Sequence, residues 1–174
     1  MHPKLARMTE TVARTDALDR LRVIDGEKTD PQTLLNTVTT LAAGYFLPLP
    51  VECGITVHTR RQLVSMAHTL PVIGVIEEAQ NPGDGGPVFN SLARGSSTIV
   101  NDTLSDDRWP VYLQMVAGHG YRSILSVCLA AVGPSRATIN FYAHPPHSFG
   151  PLHLAAGEQF AAIAAQRLRV ALTR

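Results

Sequence analysis

The chain has 174 residues, of which 45% are hydrophobic and 17% are charged. This length suits one domain, and the shortage of charge excludes an intrinsically disordered chain. The formal net charge of +1 provides no field that would attract nucleic acid or an anionic membrane, which leaves small molecules and other proteins as partners.

The first 50 residues predict two helices. The first covers residues 5–24 and ends at Asp25-Gly26. The second begins after Asp30, which can act as its N-cap, and places Pro31 at its first position. The first helix has a narrow apolar stripe that must be covered, either by its own domain or by a second copy of the chain.

The middle of the chain predicts a β-hairpin followed by a helix and a loop. Residues 51–58 alternate between apolar and other side chains, and residues 62–69 form the returning strand. The next apolar run fits either a strand or a helix, but Glu77 and Glu78 favour a helix for its second half. The glycine-rich segment 81–87 predicts a turn, since it lacks the lysine and hydroxyl residue of a phosphate-binding P-loop.

The second half predicts three helices, one short strand and a hairpin of two longer strands. In chain order these are a helix at 88–94, a strand at 96–100, a helix at 111–117, a strand at 121–130, a hairpin turn at 133–135, a strand at 136–143 and a helix at 151–173. Hairpins imply an antiparallel sheet. We therefore expect an α+β fold with five or six antiparallel strands, the N- and C-terminal helices packed on one face and the other helices and loops on the opposite face.

Two polar sets are candidates for binding. On the strand 121–130, Arg122 and Ser126 share a face, and on its hairpin partner Asn140 and Tyr142 share a face. If the hairpin registers as its turn suggests, these four side chains meet on one sheet surface. Their alternative role is a partly solvated face with local hydrogen bonds.

The start of the predicted helix at 111–117 and the residues just before it add two aromatic candidates. Trp109 and Tyr112 either anchor a turn to the sheet or form the wall of a ligand pocket. The six candidate ligand-binding residues are therefore Trp109, Tyr112, Arg122, Ser126, Asn140 and Tyr142.

The sequence lacks the residue patterns that metal binding and common kinds of catalysis require. The seven histidines show no ligand spacing, so no metal site is predicted. No nucleophile elbow, catalytic triad or paired carboxylates occur, so we expect no enzyme activity. Cys53 and Cys128 lie in apolar runs and are predicted to be buried. The first 30 residues hold no signal-peptide core and no apolar run is long enough to span a membrane, so we expect a cytoplasmic location.

Short sequence words between residues 85 and 150 occur in a distinctive order. They are GGP and NSLARG (85–95), IVND (99–102), DRWP (107–110), GYRSILSV (120–127), INFY (139–142) and FG (149–150). In this order they resemble the GAF domain family of bacterial signalling proteins. The resemblance is strongest over residues 85–149 and extends over 15–172, which makes residues 1–14 an N-terminal helical extension. Val88 and Cys128 depart from the family, whose close relatives often carry Cys and Pro there.

The resemblance implies a GAF/PAS-like sheet and a non-catalytic sensory role. We expect an unidentified small molecule to bind between the sheet and the 83–118 segment, and the terminal helices to form a homodimer and signal to an unknown protein partner. The resemblance names no cofactor. The first alternative is a dimerisation scaffold without a ligand. The second is a thiol-based reductase of free methionine sulfoxide, which requires Cys53 and Cys128 to be close on adjacent strands.

Overall fold

A computed structural model describes residues 3–60, 62–80, 83–132 and 135–173. Six helices and five strands follow one another in the order α1 (Pro3–Val23), α2 (Pro31–Tyr45), β1 (Glu52–His58), β2 (Leu63–His68), α3 (Pro71–Glu78), α4 (Pro87–Arg94), β3 (Thr98–Val100), α5 (Pro110–Gly118), β4 (Ser123–Val132), β5 (Ser135–Ala143) and α6 (Pro151–Thr173). The α+β class and the antiparallel sheet are confirmed. Residues 133–134 of the predicted turn and the first two residues of the predicted loop 81–87 lie outside the described residues.

The five strands form one open sheet in the order β2-β1-β5-β4-β3. Every neighbouring pair is antiparallel. Strand β5 is central, because it pairs with both β1 and β4. Strand β3 is short and pairs only with residues 124–126 of β4.

The main core lies between one face of the sheet and helices α1, α2 and α6. Alternate side chains of β4 (Leu125, Val127 and Leu129) point into it. The ring centroids of Phe46 and Phe141 lie 4.6 Å apart in an edge-on arrangement. The two terminal helices therefore share one face of the sheet.

Helix α1 is continuous, but its two halves differ in burial. The buried residues Ala17, Leu18 and Leu21 all lie in its second half. The first half exposes Leu5, Met8 and Val12. A helical extension over residues 1–14 remains a prediction, since the helix has no break at that point. No helix in the described part of the chain combines the length and apolarity needed to cross a bilayer.

The opposite face of the sheet is covered by α3, α4 and α5. A smaller core of nine buried side chains includes Ile73, Ile76, Leu113 and Ile124. Helix α3 resolves the ambiguity at residues 71–80, because its buried side chains Ile73, Ile76 and Glu77 follow helical spacing. This second face holds most of the buried polar side chains discussed below, and we call it the inner face.

Candidate functional site

A row of polar side chains crosses the inner face from strand to strand. The cross-strand register places Gly54, Asn140, Ser126 and Thr98 side by side on β1, β5, β4 and β3. The Ser126 hydroxyl donates to Asn140 Oδ1 at 2.7 Å. Asn140 and Ser126 are completely buried. A buried polar row of this kind is held by its own hydrogen bonds and fixes the position of each amide and hydroxyl group.

Helix α3 places the carboxylate of Glu77 directly over this row. Asn140 Nδ2 donates to Glu77 Oε1 at 2.8 Å, and the Ser65 hydroxyl donates to Oε2 at 2.7 Å. Gly54 is required below the carboxylate, because a Cβ atom there would lie 2.2 Å from Oε1. Burial raises the pKa of Glu77 to about 7, against hydrogen bonds from Asn140, Ser65 and Thr56 that lower it. The group therefore changes charge near neutral pH.

Two phenol groups lie in the same buried cluster. Tyr112 comes from α5 and Tyr142 from β5, and both side chains are buried. Each phenol influences the pKa of the other, yet neither oxygen makes a hydrogen bond of normal geometry with the described residues. Burial raises the pKa of both groups, and the charge of Glu77 raises it further. Both remain neutral O–H donors throughout the physiological range.

Gln80 completes the cluster from the end of α3. Its Oε1 accepts the backbone N–H of Val88 at 3.0 Å, which ties the start of α4 to α3. Its Nε2 is buried and has no hydrogen-bond partner in the described part of the chain. Gly86 allows this approach, since a Cβ atom there would lie 2.2 Å from Gln80 Oε1. Gln80 and Tyr142 are thus close enough to lower the pKa of Tyr112, but the Gln80 amide and the two phenols make no well-formed hydrogen bond with the described residues.

Trp109 and Arg122 lie at the rim of the cluster. The guanidinium of Arg108 lies over the Trp109 ring, with its Cζ atom 4.6 Å from the ring centroid. Arg122 forms two hydrogen bonds of 2.8 Å with the carboxylate of Asp102, one to each oxygen. These bonds lower the pKa of Asp102 to about 2. The Arg122–Asp102 pair and a hydrogen bond of 2.7 Å from Arg108 Nη2 to the backbone oxygen of Ile99 on β3 hold the segment between β3 and α5 against the sheet.

The structure therefore brings together four of the six predicted residues. They are Tyr112, Ser126, Asn140 and Tyr142, all buried on the inner face. Whether the six residues bind a ligand remains a prediction. Sequence reasoning missed Glu77 and Gln80, although both follow the apolar Ile73 at i+4 and i+7 spacing and so lie on the same helix face.

The two cysteines do not lie on adjacent strands, so the condition stated above for a thiol reductase is not met. Strand β5 separates Cys53 on β1 from Cys128 on β4. Cys53 faces the main core, whereas Cys128 packs on the other face of the sheet against α4. Two cysteines on opposite faces and two strands apart exceed the reach of a disulfide. Among the described residues no group of three or more histidine, cysteine or acidic side chains could hold a metal ion.

The sequence model of the GAF domain matches residues 28–169. The chain belongs to the GAF domain family. No curated protein sequence matches the chain.

Solved structures show the same fold at low sequence identity. The GAF domain of a phosphoenolpyruvate-protein phosphotransferase from Coxiella burnetii has a TM-score of 0.70 and 15% identity, and the match covers 94% of this chain and 95% of that one. A free methionine-R-sulfoxide reductase from Neisseria meningitidis, solved in complex with its substrate, has a TM-score of 0.70, 14% identity and coverage of 91% and 89%. The chromophore-binding domain of a bacteriophytochrome from R. palustris has a TM-score of 0.64, 12% identity and coverage of 97% and 63%.

Proposed function

We propose that this GAF domain is a non-catalytic sensory module of a bacterial cytoplasmic protein. It binds a small polar molecule between the sheet and the 83–118 segment and transmits binding through its terminal helices. The single observation that carries the proposal is the buried pair of phenol groups of Tyr112 and Tyr142 beside Glu77, neither of which has a well-formed hydrogen bond to the described residues. The fold is shared by sensory and enzymatic relatives, so the argument rests on this cluster and not on the fold.

The unbonded donors reduce the stability of the ligand-free protein. A buried hydroxyl without a partner costs about 1–3 kcal/mol relative to one that is bonded. Phenylalanine would fill the same space at Tyr112 and Tyr142 without that penalty. Gln80 adds a third buried donor without a partner. A ligand with acceptor atoms opposite these donors would recover the lost energy on binding, and such energy is available to drive a conformational change.

The position of the cluster connects a ligand to the helices. Tyr112 lies on α5, Glu77 and Gln80 lie on α3, and the hydrogen bond from Val88 N to Gln80 extends the network to α4. The ligand would enter by displacement of these elements from the sheet. The opposite face of the same sheet packs on α1, α2 and α6. A ligand that favours one arrangement of the inner face would thereby favour one arrangement of the terminal helices.

A thermal-shift screen with matched tyrosine variants tests this proposal. The wild-type protein, Tyr142→Phe and Tyr45→Phe are melted against a panel of nucleotides, amino acids and organic acids. Tyr45 is the control, because its phenol lies on the other side of the sheet and bonds to Gln159 at 3.1 Å. A compound at 100 times its dissociation constant stabilises the folded state by about 2.7 kcal/mol. We expect stabilisation of the wild type and Tyr45→Phe but little of Tyr142→Phe. No stabilising compound, or equal stabilisation of all three proteins, would contradict the proposal.

A scaffold that acts through dimerisation alone is the second candidate. Leu5, Met8 and Val12 are 55%, 58% and 68% exposed and lie at i, i+3 and i+7 on α1. This stripe would pack against its counterpart in a second copy. Light scattering of Met8→Glu, with Thr9→Glu as a control on a different side of the helix, measures the contribution of the stripe. A dimer that only Met8→Glu dissociates supports it, and a monomeric wild type contradicts it.

The thiol reductase is the third candidate and the arrangement of the thiols opposes it. A reductase that resolves its oxidised thiol within the chain needs two cysteines within bonding distance. Cys53 is fully buried and faces away from Cys128. We therefore expect the wild type to reduce free methionine sulfoxide no faster than a variant with both cysteines replaced by serine. A clear excess of wild-type activity would refute the non-catalytic assignment.

A further inference from the structure

Strand β4 is longer than the strand that covers its outer edge. It extends from Ser123 to Val132, but β3 pairs only with residues 124–126. Within the described part of the chain, no strand pairs with residues 127–129 on the side away from β5. Alternate backbone N–H and C=O groups of such an edge are available to an added strand.

Two adjoining depressions lie along this uncovered edge, and we call them together the β4-edge cleft. The larger one has a volume of about 410 Å³ and includes Leu92, Arg94, Cys128 and Arg136 in its wall. The smaller one has a volume of about 260 Å³ and includes Glu158. Gly95 and Cys128 line both depressions, so the two lie side by side. The cleft lies outside the buried cluster of Glu77, Tyr112 and Tyr142.

The larger part of the cleft combines an apolar floor with two arginines. Leu92 and Cys128 form the apolar surface. Arg94 is exposed and has no ion pair or hydrogen bond to the described residues. Arg136 donates from Nη1 to the backbone oxygen of Leu92 at 3.1 Å, which fixes its guanidinium beside the floor and leaves its other N–H groups for a ligand.

We propose that the β4-edge cleft binds an extended peptide segment that carries an acidic side chain. The segment adds to the sheet in line with β3 and antiparallel to β4, so that its backbone bonds to the edge beyond Ser126. One side chain fills the apolar floor, and a carboxylate binds Arg94 and Arg136 through charge-assisted hydrogen bonds. The charge of the arginines identifies the partner as acidic at that end, whereas Glu158 at the other end requires a neutral or basic side chain.

Cys128 reports occupancy of the cleft directly. It is half-buried in the cleft, whereas Cys53 is completely buried. The rate at which N-ethylmaleimide alkylates Cys128 at alkaline pH is measured with an alternating glutamate–valine hexapeptide, its lysine–valine counterpart, and hexanoate. At about ten times its dissociation constant, mass action leaves about a tenth of the sites free, so we expect the glutamate peptide to slow alkylation about tenfold. We expect the lysine peptide and hexanoate to have little effect.

A matched pair of charge reversals tests the role of Arg94. Arg94→Glu removes the unpaired arginine, and Arg60→Glu makes the same charge change in the β1–β2 turn. We expect Arg94→Glu to weaken glutamate-peptide binding at least about tenfold, as for loss of a hydrogen bond to a charged group, and Arg60→Glu to leave it unchanged. Melting temperatures check that each variant folds, and Arg94→Gln replaces Arg94→Glu if it does not.

Each other outcome overturns the proposal. Equal protection by the lysine peptide would show that charge does not select the partner. Protection by hexanoate would indicate a small carboxylate ligand in place of a peptide. Unchanged protection in Arg94→Glu would remove the arginine from the site, and no protection by any probe would leave the edge without the proposed partner.

Discussion

The buried carboxylate of Glu77 makes a specific prediction about stability and pH. Its pKa is about 7 in the folded protein and about 4.5 in a model compound. Between these values the folded state holds a proton that the unfolded state has lost. Its contribution to stability is therefore complete below about pH 4.5 and is lost as pH rises through 7. A difference of about 2.5 pKa units corresponds to about 3 kcal/mol of unfolding free energy between pH 4.5 and 8.

Glu77→Gln isolates this contribution because glutamine does not titrate. Its amide oxygen can accept from Asn140 Nδ2, and its NH₂ group can donate to Ser65. The Ser65 hydroxyl lies 3.2 Å from His68 Nδ1 and can donate to it when it no longer donates to Glu77. The network is thus preserved in the form it has with protonated Glu77, and the variant should be as stable as the wild type at acidic pH and more stable above pH 7.

The assay is urea unfolding followed by the fluorescence of Trp109, the only tryptophan, from pH 5 to pH 8. The pKa of His153 is lowered by burial, so the stability that this residue contributes rises with pH over part of the same range. The effect is the same in both proteins, so we compare the unfolding free energy of the variant with that of the wild type at each pH. We expect the difference in unfolding free energy between Glu77→Gln and the wild type to grow by about 2–3 kcal/mol in favour of the variant from pH 5 to pH 8. Glu27→Gln, which changes an exposed glutamate between α1 and α2, should retain the wild-type slope. A difference that stays constant across this range would refute the burial argument.

Three further predictions follow from contacts on the inner face and its rim. Tyr142→Phe should raise the stability of the ligand-free protein by about 1 kcal/mol in urea unfolding, because it removes an unbonded buried hydroxyl; a loss of stability would indicate a hidden partner such as a bound water. Gly54→Ala should destabilise by about 1–3 kcal/mol through overlap with the Glu77 carboxylate, and an equal effect in a Glu77→Ala background would exclude that cause. Arg122 lowers the pKa of Asp102, so this pair stabilises the fold above pH 4 and loses that effect as pH falls towards 2. Asp102→Asn should therefore reduce the loss of unfolding free energy between pH 4 and pH 2, and an unchanged loss would contradict a stabilising role for the pair.

Much of the fold follows from local patterns in the sequence. Alternation over residues 51–58 and the apolar run 121–130 predict the strands, and Asp30 caps α2 by accepting the N–H of Thr33 as its position indicates. The order of strands across the sheet does not follow from local patterns. Insertion of β5 between β1 and β4 depends on contacts between residues far apart in sequence, and it is this insertion that separates the two cysteines.

The candidate site, like the fold, was predictable where it depends on local sequence patterns and not where it depends on contacts between distant residues. The period of two along β4 and β5 places Ser126, Asn140 and Tyr142 on one face. Arg122 departs from that pattern because β4 begins at Ser123, so its side chain pairs with Asp102 outside the strand. Glu77 was missed because a glutamate near a helix end is usually solvated, and only the packing of α3 on Gly54 shows that it is buried.

Nuclear magnetic resonance of the protein labelled on its tyrosine rings tests the sensory proposal most directly. The four tyrosines divide between the two faces, with Tyr112, Tyr121 and Tyr142 on the inner face and Tyr45 in the main core. The compound that stabilises the protein most in the thermal-shift screen is titrated into the labelled protein. We predict large shifts of the Tyr112 and Tyr142 ring signals at saturation and smaller shifts of Tyr45. Ring signals of Tyr112 and Tyr142 that do not move while the compound binds would contradict a ligand site on the inner face.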